Sequence, residues 1–253
     1  MSSDKRVKVV VENLTKEFGS LLVLDKLSFK VHDGEFLVIV GPTGCGKTTF
    51  MNLLTKMIPS TIGSIKIDGE EADLKKHNLA YILQEPSCIP WLTVDQNIQY
   101  GFQTQRRKHL LNTPDTKKRI NELKDITDLR KYSDFYPGTL SQSLQQLVVV
   151  ARAFAIDPHM LLMDEPYGQL DLKTRLALES EIINVWRTMK KTVIFVTHNI
   201  EEAVFIAERV IVLTNKPTTI KKEINIDLPH PRDVTDPKFV KIRDEITELI
   251  KWW

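Results

Sequence analysis

The sequence predicts an α/β fold built on a buried parallel sheet, with a helical segment inserted into it. Four short apolar runs carry that reading: FLVIV at 36–40, MLLM at 160–163, VIFV at 193–196 and VIVL at 210–213. None shows polar alternation, the pattern of strands covered on both faces of a parallel sheet. Three of the runs end in reactive or ligand-binding side chains, in GPTGCGKTT, DEP and TH. Ligand sites of open α/β sheets lie just beyond the carboxyl ends of the strands. Between Gln84 and Pro137 the character changes to polar helical patterns such as DTKKRINELKDITDLRKY, bounded by Pro86, Pro90, Pro114 and Pro137.

Taken in order, VKVVV at 7–11, LVLDKLSFKV at 22–31 and GSIKIDG at 63–69 read as further strands. The segment AYILQEP reads as another strand ending at Gln84. In the tail DPKFVKIRDEITELIKWW, apolar residues at 239, 242, 246, 249 and 250 mark an amphipathic helix over 236–253. We read 1–253 as a single domain, with an approximate helical subdomain at 86–150.

Bulk properties limit the function classes. Apolar residues make up 42% and charged residues 27% of the 253, ordinary for a globular protein. A net charge of +2 argues against a nucleic-acid partner, and the short basic run Gln105-Arg106-Arg107-Lys108-His109 reads as solvated surface. Cys45 and Cys88 fit neither metal-ligand nor redox spacing, which suits a reducing compartment. The amino-terminal stretch lacks an apolar core of signal-peptide length, and no apolar run is long enough to span a bilayer. Any membrane role is therefore expected to be peripheral, through another chain.

The strongest motif is Gly41-Pro42-Thr43-Gly44-Cys45-Gly46-Lys47-Thr48, a full match to GxxxxGK[ST], followed by Thr49. Glycines let successive backbone N–H groups curl round an anionic phosphate; Lys47 adds charge, and Thr48 offers a hydroxyl to Mg²⁺. The helix that follows points its positive end at the phosphates. In MLLMDEP a buried strand delivers Asp164, suited to hold Mg²⁺, and Glu165, placed to orient an attacking water. His198 follows another buried strand, where it can reach a γ-phosphate, and Gln84 offers a neutral amide to Mg²⁺ or water.

The succession GPTGCGKTT, LQEP, LSQSLQQ, LLMDEPYGQLD and FVTHNIEEA resembles the nucleotide-binding subunit of an ATP-binding cassette (ABC) transporter, from about residue 7 to 235. The resemblance implies a P-loop NTPase core with an N-terminal antiparallel β subdomain and an inserted helical subdomain. It implies ATP and Mg²⁺ as cofactors, Gln84 as the Q-loop, Asp164 and Glu165 as Walker B and catalytic glutamate, Leu170-Asp171 as the D-loop, and His198 as the switch histidine. Phe18 falls where the family stacks an aromatic ring on adenine. The implied partners are transmembrane permease subunits, a second ATPase subunit and, indirectly, a solute-binding protein, at the cytoplasmic face of the cell membrane. The stretch LQEPSCIPWLTVDQNI is similar to importers of the nitrate, sulfonate, taurine and bicarbonate group, which points to a small anion or organosulfur solute. Trp91 in that stretch reads as an anchor for the membrane subunit or as packing for the helical insertion.

The family's LSGGQ signature departs here to Leu140-Ser141-Gln142-Ser143-Leu144, with both glycines replaced and Ser141 kept. In the implied head-to-tail dimer this segment faces the partner's ATP. Gln142 either crowds the phosphate or leaves a working helix start and serine hydroxyl. Three assignments therefore stand at this stage: a hydrolysing homodimer, one half of a heterodimer with a sister ATPase, and a soluble ATP-dependent regulatory module.

Overall fold

The computed structural model describes residues 6–73, 76–103, 108–166 and 172–250. Leu170, Asp171, Arg106, Arg107 and the terminal Trp252-Trp253 pair lie outside the described residues. The chain divides into two compact units, residues 1–78 with 192–253, and residues 79–191.

The first unit begins with β1 (Val7–Phe18) and β2 (Leu21–His32), paired antiparallel. The sequence stops the first strand at residue 11, but β1 runs to Phe18 because a bulge absorbs the break in alternation. Asn13 takes a positive φ of 47°, and the register shifts between Val11 and Leu14. Strand β3 (Phe36–Val40) is buried along its whole length, as its unbroken apolar run demands, and leads into helix α1 (Lys47–Leu54). Strands β4 (Ile62–Ile67) and β5 (Glu70–Glu71) complete an antiparallel sheet of order β2-β1-β4-β5.

Among its described residues the second unit holds two parallel strands, β6 (Leu79–Ile82) and β7 (Met160–Asp164), and four α-helices: α2 (Val94–Gln99), α3 (Pro114–Ile126), α4 (Gln142–Ala155) and α5 (Leu172–Met189). Thr93 opens α2 with a reciprocal capping box to Gln96, and Thr113 caps α3 ahead of Pro114. The chain returns to the first unit with β8 (Thr192–Thr197), α6 (Ile200–Ile206), β9 (Arg209–Leu213), β10 (Ile220–Asn225) and α7 (Pro237–Ile250). There β3 lies parallel to both β8 and β9, while β10 pairs antiparallel with β9. Strand β10 reads IKKEIN, a lysine-bearing edge that periodicity does not reveal. Phe239 and Ile246 are the fully buried members of the α7 stripe. Among the described residues, no helix is long and apolar enough to cross a membrane.

One buried ion pair ties the strands of the first unit. Arg209 Nε donates to Glu35 Oε1 at 2.7 Å, the His32 N–H donates to Glu35 Oε2 at 2.7 Å, and Arg209 also bonds Glu223 and the Lys30 carbonyl. Losing one partner of a buried pair costs more than the pair contributes, because the survivor stays desolvated. Glu35→Ala is expected to lower unfolding stability by about 2–3 kcal/mol in denaturant titration, less than for an isolated pair because Glu223 still holds Arg209.

In the second unit the segment after Gln84 is pinned to α4. Arg152 Nη2 donates to the Ser87 carbonyl at 2.9 Å and its hydroxyl at 2.8 Å, and the Cys88 thiol donates to the Gln145 carbonyl at 3.3 Å. Burial raises the Cys88 thiol to about 11, against the opposing charge of Arg152. At pH 9 only about 1% is thiolate, so iodoacetamide should label Cys88 roughly fiftyfold more slowly than an unhindered cysteine, as read by peptide mass mapping.

Candidate functional site

The first unit forms a phosphate-type loop between β3 and α1. Gly46, immediately before α1, takes φ 118°, and a Cβ there would come within 2.9 Å of Leu24 Cδ2. Only glycine satisfies that backbone and that spacing at once. At Gly41 the limit is space alone, since a Cβ would meet Cys45 Sγ and Leu213 Cβ at 3.0 Å. Lys47 is buried and its Nζ donates to the carbonyls of Gly41 and Pro42 at 3.0 and 3.1 Å, curling over its own loop. Thr43, Gly44 and Thr48 are exposed, Pro42 and Thr49 are half-buried, and Cys45 is buried. Together with the start of α1 at Lys47, whose positive dipole end faces the loop, this surface suits an anion.

His198 is exposed and directly follows β8. The parallel register pairs Val40 with Thr197, so His198 stands level with Gly41, the first residue of the loop. Phe18, at the end of β1, is 48% exposed rather than packed in the core, and Lys16 Nζ lies 4.7 Å from its ring centroid.

In the second unit the carboxyl ends of β6 and β7 carry the acidic and amide groups. Ile82 pairs with Met163, which brings Gln84 and Asp164 to the same end of the two strands. Gln84 is exposed; Asp164 is 8% exposed, and Glu165 follows with φ 45°. A glutamate in the left-handed region stores strain, as functional sites often do. Tyr81 donates its phenol to Asp164 Oδ2 at 3.2 Å. Burial first, and the Asp164 charge second, hold that phenol protonated far above its usual range, so it remains a donor.

Ser141 stands at the head of α4. It is extended (φ −62°, ψ 157°), and its hydroxyl accepts the Leu144 N–H at 3.3 Å while lying 2.9 Å from the Ser143 hydroxyl. Gln142 is the first helical residue, and neither it nor Ser143 takes a positive φ. The backbone here makes no demand that only glycine can meet. Gln145 donates to the carbonyls of Pro137 and Leu140, closing the loop before the helix.

The structure thus assembles residues 41–49 with His198 in one unit, and Gln84 with Asp164 and Glu165 in the other. Two supporting residues were missed by sequence reasoning. Tyr81 was hidden because its face depends on register: it pairs with Leu162, so it shares a face with Asp164 two residues on. A tyrosine three residues before Gln84 was the available signal. Thr218, fully buried, donates its hydroxyl to the Cys45 carbonyl and its N–H to the Val23 carbonyl at 2.9 Å. Nothing local in TNKPTT signals that contact with a loop so distant in sequence.

Comparison with known proteins gives the family. The ABC transporter family matches residues 24–168. An uncharacterised ABC transporter ATP-binding protein of Methanocaldococcus jannaschii is 38% identical over 97% of this chain and 92% of its own length. The aliphatic sulfonates import ATP-binding protein SsuB of Bacillus cereus is 33% identical over 97% of this chain and 95% of its own. The dimeric structure of a bacterial ABC transporter cassette superposes with a TM-score of 0.69 at 25% identity, covering 87% of this chain and all of that one. The chain therefore belongs to the ABC transporter family, as the ATP-binding, ATP-hydrolysing subunit of a transporter.

Proposed function

We propose that this subunit powers import of a small anion or organosulfur solute, working as a homodimer beneath transmembrane permease subunits at the cytoplasmic face of the cell membrane. The observation that carries the reading is placement. Lys47 lies in the first turn of a helix, and Gln84, Asp164, Glu165 and His198 each stand at or just past the carboxyl end of a strand of their own unit. The solute class rests on the SsuB relative, named for aliphatic sulfonates import, and on PWLTV at 90–94. A solute-binding protein would deliver the solute to the permease.

The residues then act as follows. Residues 41–49 cradle the ATP phosphates, and Phe18 stacks on the adenine. The hydroxyl of Thr48, the carboxylate of Asp164 and the amide of Gln84 are hard oxygen donors that would hold Mg²⁺, which would supply charge neutralisation of the phosphates when bound. Glu165 accepts a hydrogen bond from a water in line with the γ-phosphorus. As the new P–O bond forms, the bond to the β,γ-bridging oxygen breaks, leaving ADP and phosphate. His198 and Lys47 donate to the γ-phosphate oxygens as charge develops, and Asp171 contributes from the D-loop.

A second reading comes from Gln142 and Ser143. If their side chains crowd the phosphate of a facing subunit, the chain requires a sister ATPase with the glycines. The helical start at Ser141 favours the homodimer, because the hydroxyl and the first-turn N–H groups are retained. The wild-type chain is expected to hydrolyse ATP within about tenfold of Gln142→Gly/Ser143→Gly, and clearly above Glu165→Gln. A blank-level rate rescued by the glycines would replace the homodimer with the sister-subunit arrangement.

Trp91 is 75% exposed, so the alternative that it packs the helical insertion does not hold. Phe135 and Tyr136 are exposed as well, at 47% and 51%, and the Phe135 carbonyl accepts the Val94 N–H at 2.9 Å. An exposed aromatic group of this kind suits a permease contact. Trp91→Ala is expected to abolish solute-stimulated turnover in the reconstituted transporter and leave basal hydrolysis nearly unchanged. Equal loss of both would remove Trp91 from that role.

A further inference from the structure

His198 sits between two residues that share one hydroxyl. Thr197 is buried at the end of β8; its Oγ1 donates to Glu202 Oε2 and accepts the Asn199 N–H at 2.9 Å. Glu202 is 5% exposed, and its N–H donates to Asn199 Oδ1 at 3.2 Å, the side-chain cap of α6. The residue before His198 is thereby held by the buried Glu202 carboxylate, and the residue after it by the Thr197 hydroxyl and the Glu202 N–H, while His198 itself is exposed. A carboxylate in the first turn of a helix also lies at its positive end.

The other end of α6 is held just as firmly. Arg232 is buried, and its Nη1 donates to the carbonyls of Val204, Phe205 and Ala207 at 2.6, 3.2 and 2.6 Å. Its Nη2 reaches the carbonyls of Ile226 and Leu228 at 3.3 and 3.0 Å, and its Nε reaches Leu228 at 3.1 Å. Burial lowers the guanidinium to about 10, with Glu208 opposing. Arginine thus stays charged near neutrality and satisfies the carbonyls that a helix end leaves open. Seven residues of helix do not hold their own shape in water, so α6 depends on these two anchors.

We propose that Thr197 and Glu202 are positioning residues that aim His198, with Arg232 securing the far end of the same helix. This rests on the reading of His198 as the γ-phosphate group. Removing the Thr197 hydroxyl leaves the Glu202 carboxylate without that donor and the Asn199 N–H without its acceptor, which frees the backbone on both sides of the imidazole. Misaimed groups lose rate rather than affinity when they act only in the transition state.

The test compares the full-length chain with Thr197→Val, Thr197→Ser and Glu202→Gln, each also in a His198→Ala background. Thr197→Val is expected to lower kcat roughly tenfold to a hundredfold with KM for ATP little changed, and Thr197→Ser to restore it. In the His198→Ala background, Thr197→Val should add no further loss. The ring resonances of His198, assigned by their disappearance in His198→Ala in histidine-labelled protein, should shift in Thr197→Val and stay in place in Thr197→Ser. Unmoved resonances in a folded Thr197→Val chain, or equal losses of kcat in both backgrounds, would overturn the proposal. Full turnover by His198→Ala would instead remove the γ-phosphate reading, while the resonances would still decide whether Thr197 aims the ring.

Discussion

A phosphate-binding turn works only if several backbone N–H groups inside it stay available, and a chain tolerates that only where the rest of the turn is braced. Here the bracing comes from three directions. Gly46 lies against Leu24 and Val23 at a distance no side chain allows, Thr218 ties the Cys45 carbonyl, and Lys47 draws in the carbonyls of Gly41 and Pro42. The strand–turn–helix motif supplies the N–H groups; β2 and the 214–219 segment hold them in place. The first unit's antiparallel sheet is therefore part of the loop's support.

The second unit solves a different problem, which is to hold carboxylates ready without letting them relax. Asp164 is nearly buried at a strand end and takes a hydrogen bond from Tyr81, whose phenol cannot ionise in the working range. Glu165 follows at a positive φ, a conformation that its side chain alone would not select. Strain in that residue is sustained by the rigid strand before it, whose every residue is buried. The same unit ties the segment after Gln84 to α4 at two points, Ser87 to Arg152 in the last turn and Cys88 to Gln145 near the start.

The altered signature shows why residue identity and backbone geometry must be separated. In a motif known for glycine, the absence of glycine suggests lost conformational freedom. The helix here begins at Gln142 with ordinary helical backbone and a serine cap, so no left-handed position is required. What Gln142 changes is side-chain volume at an exposed helix start, a steric matter that leaves the cap intact.

The sequence by itself determined the family, the phosphate loop and the strands whose apolar runs are continuous, because these depend on local spacing and on burial at both faces. FLVIV, MLLM, VIFV and VIVL all became strands, and the residues after them stand at strand ends. It did not reveal β10, whose lysines and glutamate carry no apolar period, or the extension of β1 past the bulge at Asn13. Tyr81, Thr218, Glu202 and Arg232 also waited for the tertiary structure. Each acts through a partner chosen by register or by a contact across the fold. A hydroxyl or guanidinium finds its carbonyl only when distant segments are packed together, and no local pattern records where that packing will fall.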